Sequence, residues 1–478
     1  MILKGYIFGT VYALLCLALA LVLYKLGMPK KYSRKLVHIL VGAEWVILSH
    51  YMGATYHFLM VCLLFLVILL VSYLKNLMPM ISSESDNAPG TVYYAVAMSI
   101  MAIICLFEKD MMLPFGIGVL CTSLGDGFAG VFGQMIKKIN PKIYGNKSLY
   151  GTLANFAFSS GAAIFIKYAY GANIALWQCF MVGILSAGLE LITVFGLDNI
   201  VITVGTALLS YAFINYSLIN SFVIPIVATP FIIAIVLEKK VLTKSGLLLA
   251  MILDAVVSLT LGNFGFVLLC VFLFGSVLID KVKKHRRGKD TVTKKEGCRD
   301  AIQVIANGLI PMIFAVLYSV TQSEAFLVGY VAALAEAFAD TAASGMGVFS
   351  NNPFDLFKMR RVKCGLSGGM SLVGTASSLV AAFVIGAIAL AFGAISPIVM
   401  VIASLAAFVG AVFDSFLGSV FQIKYKCKKC GEIVEREEHC ATRCERYSGF
   451  EFFDNDVVNL FSGAFAATLA ALLFYLIF

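Results

Sequence analysis

Residues 338–347 read FADTAASGMG, and residues 125–133 read GDGFAGVFG. Set in register on the acid, both spell Asp-x-x-Ala-x-x-x-Gly, through Asp126, Ala129 and Gly133 in one and Asp340, Ala343 and Gly347 in the other. Each motif ends an apolar stretch long enough to cross a hydrocarbon core of ~30 Å at 1.5 Å per residue, so each carries a carboxylate to the edge of a membrane. Three further signals follow each motif in the same order. Ser-Leu-x-Gly-Thr opens the next apolar stretch (148–152 and 371–375), an acid stands near the end of the one after (Glu190 and Asp414), and Asp-Asn opens the last (198–199 and 454–455). One coincidence of small residues is ordinary among packed membrane helices. Four in register predict a parallel repeat.

The composition agrees with this reading. Of 478 residues 60% are hydrophobic and 13% charged, and the mean hydropathy is +0.93, which excludes a soluble fold. Apolar stretches are predicted as helices at 5–24, 36–52, 56–74, 91–107, 112–133, 151–170, 174–195, 199–217, 222–237, 245–260, 264–279, 301–320, 325–349, 369–392, 397–421 and 456–477. The expected fold is an all-α polytopic membrane protein of about 16 transmembrane helices in two parallel eight-helix halves, residues 1–218 and 219–478, with a small cytoplasmic Cys-rich insertion at 422–453.

The formal charge is +9, from 36 Lys and Arg against 27 Asp and Glu. With the N-terminus outside, Lys4, Lys109 and Lys167 alone fall on the outer side, so the basic excess marks cytoplasmic loops rather than a nucleic-acid partner. A multi-pass protein of the cell membrane is expected, with both termini outside and the repeated acids facing the cytoplasm. The first stretch has no small-residue cleavage site and is expected to be a retained helix. Twelve cysteines, eight of them scattered singly, do not form the pattern of a secreted disulfide framework.

Carboxylates kept at a membrane boundary usually serve a site or a partner. The candidates are Asp126, Glu190 and Asp198 in the first half and Asp340, Asp414 and Asp454 in the second. Asp198 and Asp454 could equally cap helix N-termini, where aspartate is favoured. Asn199 and Asn455 repeat beside them. Carboxylates suit Mg2+, through Asp126, Asp198, Asp340 and Asp454. Ser148, Thr152, Ser371, Thr375 and Ser367, with Lys147, offer donors to phosphate oxygens at helix N-termini. Met370 stands where Lys147 does, so Arg360, Arg361 or Lys363 would meet phosphate charge in the second half. No Walker loop is present.

Arg34, Lys35 and His38 open the second helix within SRKLVHILVG (33–42), with Glu44 deeper. His38 lies four residues after Arg34 and so on the same face. A lone helix histidine is more often structural than catalytic, but the basic cluster and the carboxylate facing the bundle give a functional role about equal weight here. Arg299, Gln303 and Asn307 recur at helical spacing in GCRDAIQVIANG (297–308), which reads as a wet inner face. The basic run before it, KVKKHRRGKDTVTKK, sets topology or docks anionic groups. Cys427, Cys430, Cys440 and Cys444 have spacing for a structural zinc site, with His439 as a substitute for Cys440, against a reading as free thiols.

Two family resemblances attach to these residues. SRKLVHILVG, GTVYYAVAMS (90–99), SLGDGFAGVFGQ (123–134), NKSLYGT (146–152), Glu190 and DNI (198–200) resemble the phytol kinase and dolichol kinase group of CTP-dependent polyprenol kinases. GCRDAIQVIANG, ALAEAFADTAASGMGVFS (333–350), GLSGGMSLVGT (365–375), FDSFLGSVFQ (413–422) and DNDVVN (454–459) resemble the membrane family that includes phytyl-phosphate kinase. The resemblance implies CTP as donor, Mg2+, and an isoprenoid alcohol and its monophosphate as successive acceptors drawn from the membrane. A fused, bifunctional prenol and prenyl-phosphate kinase is therefore the leading expectation. A CTP-dependent cytidylyltransferase making a CDP-lipid is the alternative, and a transporter the third, because parallel repeats and intramembrane acids also occur in carriers.

Overall fold

The computed structural model describes residues 1–75, 90–135, 139–194, 196–287, 298–350 and 353–478. A helix lies over every apolar stretch expected from hydropathy. Among the described residues eleven helices are long and apolar enough to cross a bilayer, and Leu176–Ile192 and Val223–Glu238 are shorter apolar helices. The protein is a multi-pass α-helical membrane protein.

The chain forms two units, Met1–Lys239 and Lys240–Phe478. The first contains α1 (Ile2–Lys25), α2 (Lys30–Val41), α3 (Glu44–Met52), α4 (Tyr56–Lys75), α5 (Gly90–Phe107), α6 (Met112–Leu120), a π-helical turn at Cys121–Asp126, α7 (Gly127–Met135), α8 (Leu149–Tyr170), α9 (Leu176–Ile192), α10 (Asp198–Asn215) and α11 (Val223–Glu238). The division comes one helix later than the expected boundary at 218. The reason is packing: α11 lies on α9, where Gly188 leaves room for Pro230 and Phe231.

Small residues decide how this unit closes. The buried stripe of α1 is Gly5, Gly9, Ala13, Cys16 and Ala20, at the spacing that lets helix backbones approach, while leucines such as Leu14 and Leu15 face outward. The second predicted helix is broken at 42–43 into α2 and α3. Gly42 is needed there, because a Cβ would sit 1.9 Å from the Ser123 hydroxyl oxygen in the π turn.

The second unit contains α12 (Lys244–Arg287), α13 (Ala301–Thr321), α14 (Glu324–Gly347), α15 (Leu372–Ala391), α16 (Pro397–Val420) and α17 (Asn455–Ile477). Helix α12 covers two predicted helices and bends at Gly262, whose φ of +62° only glycine adopts freely. The bend turns the chain back on itself, since Arg299 pairs with Asp280 near the end of α12 while its carbonyl binds the Thr243 amide at the start. Helix α14 is the hub, buried on all sides from Leu327 to Ala339.

The two units share a packing plan. In the first, α5 packs on α6, α7 on α8, α8 on α9, α9 on α10, and α10 on both α5 and α6. In the second, α13 packs on α14, α14 on α15, α15 on α16, α16 on α17, and α17 on both α13 and α14. A short antiparallel hairpin precedes the Ser-Leu-x-Gly-Thr helix in each, β1 (Lys142–Tyr144) with β2 (Lys147–Ser148) and β3 (Phe354–Asp355) with β4 (Arg360–Arg361). The Cys-rich insertion is a small β lobe, with β5 (Lys424–Lys426) between β6 (Ile433–Val434) and β9 (Glu445–Ser448), and β7 (Glu438–His439) paired with β8 (Thr442–Arg443).

Candidate functional site

In the first unit the predicted charges converge at one end of the bundle. Lys35 on α2 places Nζ 2.8 Å from Asp126 Oδ2, at the end of the π turn. His38, one turn further along, lies with Nε2 3.4 Å from the same oxygen and 3.0 Å from the Thr122 carbonyl. A carbonyl only accepts, so Nε2 carries the proton there. From the other side the β1–β2 hairpin delivers Lys147, which donates to Glu190 Oε1 and lies 3.9 Å from Asp198 Oδ2. Burial opposes a charge on Lys147, but the carboxylates of Glu190, Asp126 and Asp198 outweigh it and hold the ammonium above its ordinary pKa.

The neighbouring polar groups brace this cluster. Asn140 donates to Ser148 Oγ at 2.9 Å and accepts from the Tyr150 amide, while Thr152 donates to the Ser148 carbonyl. Asn199 is buried and ties α10 to the start of α5 by donating to the Gly90 carbonyl at 3.0 Å. Arg34 lies on α2, but its side chain is outside the described residues.

The second unit gathers carboxylates with a different escort. Glu336, which is not among the residues expected from the sequence, is buried one turn before Asp340 on α14, and its Oε1 has no hydrogen-bond partner. Asp340 and Asp414 are its electrostatic neighbours, and Ser462 on α17 donates to Asp414 Oδ2 at 3.2 Å. Gly410 on α16 makes this meeting possible, because a Cβ there would lie 2.8 Å from Glu336 Cγ. Among the described residues no lysine or arginine pairs with these three acids. The signal for Glu336 is present in ALAEAFAD as a second acid at i−4.

Several expected residues are used structurally. Asp454 caps α17, accepting from the Asp456 and Val457 amides at 3.1 and 3.2 Å, and Asn455 is exposed. Gln303 forms a capping box with Asp300 at the start of α13, and Arg299 pairs with Asp280 at 3.1 Å. Asn307 does face the bundle, accepting from Asn459 of α17. Ser371 caps α15 through the Gly374 amide, with Thr375 half-buried one turn on.

The cations of the second unit stand on the segment before α15 and on the β lobe. Lys358 donates to the Ser419 carbonyl, and Arg360 touches Tyr447. The Ser367 peptide is gripped from both sides, its amide by Glu435 Oε1 at 2.7 Å and its carbonyl by Lys424 Nζ at 2.8 Å. Burial pushes the Lys424 ammonium down to about 8. Within the lobe, the ligand atoms of Cys427, Cys430, His439 and Cys440 lie within 4.8 Å of one another. Three of the four expected cysteines are in this group, and a left-handed turn at Cys440 and Ala441 brings His439 beside them; Cys444 adjoins Cys427, with its sulfur 4.0 Å from the Thr442 carbonyl.

Comparison with known proteins places this geometry in a family. The family model described as integral membrane protein DUF92 matches residues 227–467. A phytol kinase of Synechocystis is 30% identical over 196 residues, 38% of this chain and 80% of the relative. An uncharacterized membrane protein of Methanocaldococcus jannaschii is 29% identical over 196 residues, 40% of this chain and 80% of the relative. The chloroplastic protein VTE6 of Arabidopsis thaliana is 25% identical over 240 residues, 48% of this chain and 65% of the relative. No solved structure matches. By these matches the chain belongs to the integral membrane protein DUF92 family, and to the wider group of phytol kinase-like membrane proteins.

Proposed function

We propose that this protein is a membrane-embedded phosphotransferase that phosphorylates an isoprenoid alcohol in its first unit and the resulting monophosphate in its second. CTP is the donor implied by the resemblance, and both sites face the cytoplasm. The observation that carries the reading is the cluster of Asp126, Glu190 and Asp198 with Lys35, Lys147 and His38 at one bundle end. A relative named phytol kinase, 80% of whose length aligns here, supports the substrate class.

Phosphoryl transfer needs positioning and charge neutralisation more than covalent chemistry. In the first unit Lys35 and Lys147 are the groups to meet phosphate oxygens, exchanging their carboxylate partners for the nucleotide. A freed carboxylate, Glu190 once Lys147 has turned to phosphate, then accepts the alcohol proton. The alcohol oxygen forms its bond to the γ-phosphorus as the bond to the β-phosphate oxygen breaks, leaving CDP and a lipid monophosphate. In the second unit Lys358, Arg360 and Lys424 would supply positive charge to the anionic acceptor.

The donor sets fit a hard divalent cation. All are carboxylate oxygens, and Glu336 Oε1 is a buried acceptor without a partner. Mg2+ held by Asp126 and Asp198, and by Glu336, Asp340 and Asp414, would neutralise the polyphosphate charge. Asp454 is left out of this set because its Oδ1 is engaged by the amides of α17.

The test is incubation of purified protein with a panel of prenols, prenyl phosphates and nucleotides, resolving lipid products by mass. Lipid mono- and diphosphates with free CDP are expected. A CDP-lipid with pyrophosphate would make it a cytidylyltransferase, and uptake into proteoliposomes without nucleotide consumption a carrier.

A further inference from the structure

The β lobe gathers soft metal ligands beside the segment that leads into α15. His439 Nδ1 lies 3.4 Å from Cys430 Sγ and 3.3 Å from Cys440 Sγ, and all four ligand atoms including Cys427 Sγ fall within 4.8 Å of one another. A tetrahedral Zn2+ with Zn–S of ~2.3 Å and Zn–N of ~2.0–2.1 Å requires an N···S edge of about 3.5 Å, so the atoms already stand near its corners. The Cys427-x-x-Cys430-Gly431 turn is shaped for this, with Gly431 at φ +73° and its amide bonded to the Cys427 carbonyl.

Beyond the ligands, the contacts run in one direction. His439 Nε2 points to Glu432, 4.0 Å away, and Glu432 pairs with Lys363 at 2.7 Å. A histidine that gives one nitrogen to zinc commonly has the other oriented by a carboxylate. Four residues past Lys363, the Ser367 peptide is held by Lys424, which opens the strand that ends just before Cys427, and by Glu435, the residue after β6. Gly368 presses on Ser419 at the end of α16, where a Cβ would lie 2.7 Å from that backbone.

We propose that Cys427, Cys430, Cys440 and His439 bind one structural Zn2+, and that the ion keeps residues 363–368 seated between the β lobe and the end of α16. Neither half of this depends on the reaction the bundles carry out.

The experiment uses the full-length protein in detergent, purified without chelator, with zinc measured by elemental analysis and amide hydrogen exchange followed across 363–370. One zinc per chain is expected. Chelation should accelerate exchange at 363–370 about tenfold or more while α14 stays protected, because a segment opens more often once the groups that hold it are released. Cys430→Ser and His439→Ala should lose the metal and Cys444→Ser should keep it. Glu432→Gln should weaken zinc affinity by about tenfold to a hundredfold. Protein that neither contains nor takes up zinc overturns the site. Loss of zinc in Cys444→Ser with retention in His439→Ala overturns the ligand set. Unchanged exchange after wild-type metal removal overturns the seating role, and this last arm needs no variant to fold.

Discussion

Thr122 in the first unit and Glu336 in the second are both buried and each stands four residues before the repeated aspartate. Thr122 shares a 2.7 Å hydrogen bond with Thr203 of α10, a neutral and satisfied contact between helices. Glu336 puts a carboxylate at that point, with one oxygen buried and unpartnered. The first unit sets two lysines against Asp126, Glu190 and Asp198, while among the described residues no lysine or arginine pairs with Glu336, Asp340 or Asp414. On the proposed function, the same packing plan would serve one site that exchanges ion pairs and another that takes up a cation.

Glu336→Gln tests the second half of this contrast. An amide carries no charge to desolvate, so the unfolding temperature of the metal-free protein should hold or rise by up to roughly 2–4 °C, equivalent to about 1 kcal/mol. The same change should abolish any stabilisation by Mg2+ of the second unit. Thermal unfolding with and without Mg2+ measures both effects, and a variant that still gains stability from Mg2+ would remove Glu336 from the cation site.

Separate sites make separate losses. Asp126→Asn is expected to reduce alcohol phosphorylation roughly a hundredfold or more while sparing phosphorylation of a supplied prenyl phosphate, as expected for loss of one preorganised electrostatic group. Asp340→Asn is expected to let the monophosphate accumulate. Time courses resolved by mass distinguish the two variants. Loss of both reactions from either change in folded protein would merge the sites.

Lys147→Met leaves Glu190 buried without its ammonium partner. Breaking one side of a buried pair costs on the order of 3 kcal/mol, so the first unit should unfold at lower temperature. Lys147→Met with Glu190→Gln should recover much of that loss. A double-mutant cycle reads the coupling directly.

The lobe gives a pH dependence with a definite sign. The folded Lys424 ammonium titrates at about 8, below the ordinary lysine value, so the folded protein sheds that proton before the unfolded chain does. Between about pH 8 and 10.5 the unfolded state binds more protons at this residue, and stability rises with pH; below about 8 the contribution is flat. Comparing wild type with Lys424→Met across pH 7 to 10 isolates it, and a difference that does not change over that range would show the residue to be ordinary.

Much of this was legible in the sequence because lipid demands long apolar helices and tolerates few charges. The helices, the repeat, and the Asp126, Glu190 and Asp198 cluster with Lys35 and His38 all rest on that constraint. What escaped was decided by local geometry. Asp454 and Asp198 share a dipeptide, yet one caps a helix and the other meets a lysine, according to where each helix begins. Gln303 has the spacing of a wet face but closes a capping box. Glu336 was hidden by its alanine-rich surroundings.

The π turn at Cys121–Asp126 sets the phase of the first site. Its wider coil rotates everything below it relative to α6 above, whereas α14 runs through the matching region as continuous α-helix. The facing of Asp126 toward α2 is therefore decoupled from the packing of α6, which is buried from Pro114 to Leu120. Excision of a single residue from the turn would swing the carboxylate away from Lys35 while α6 kept its buried seat.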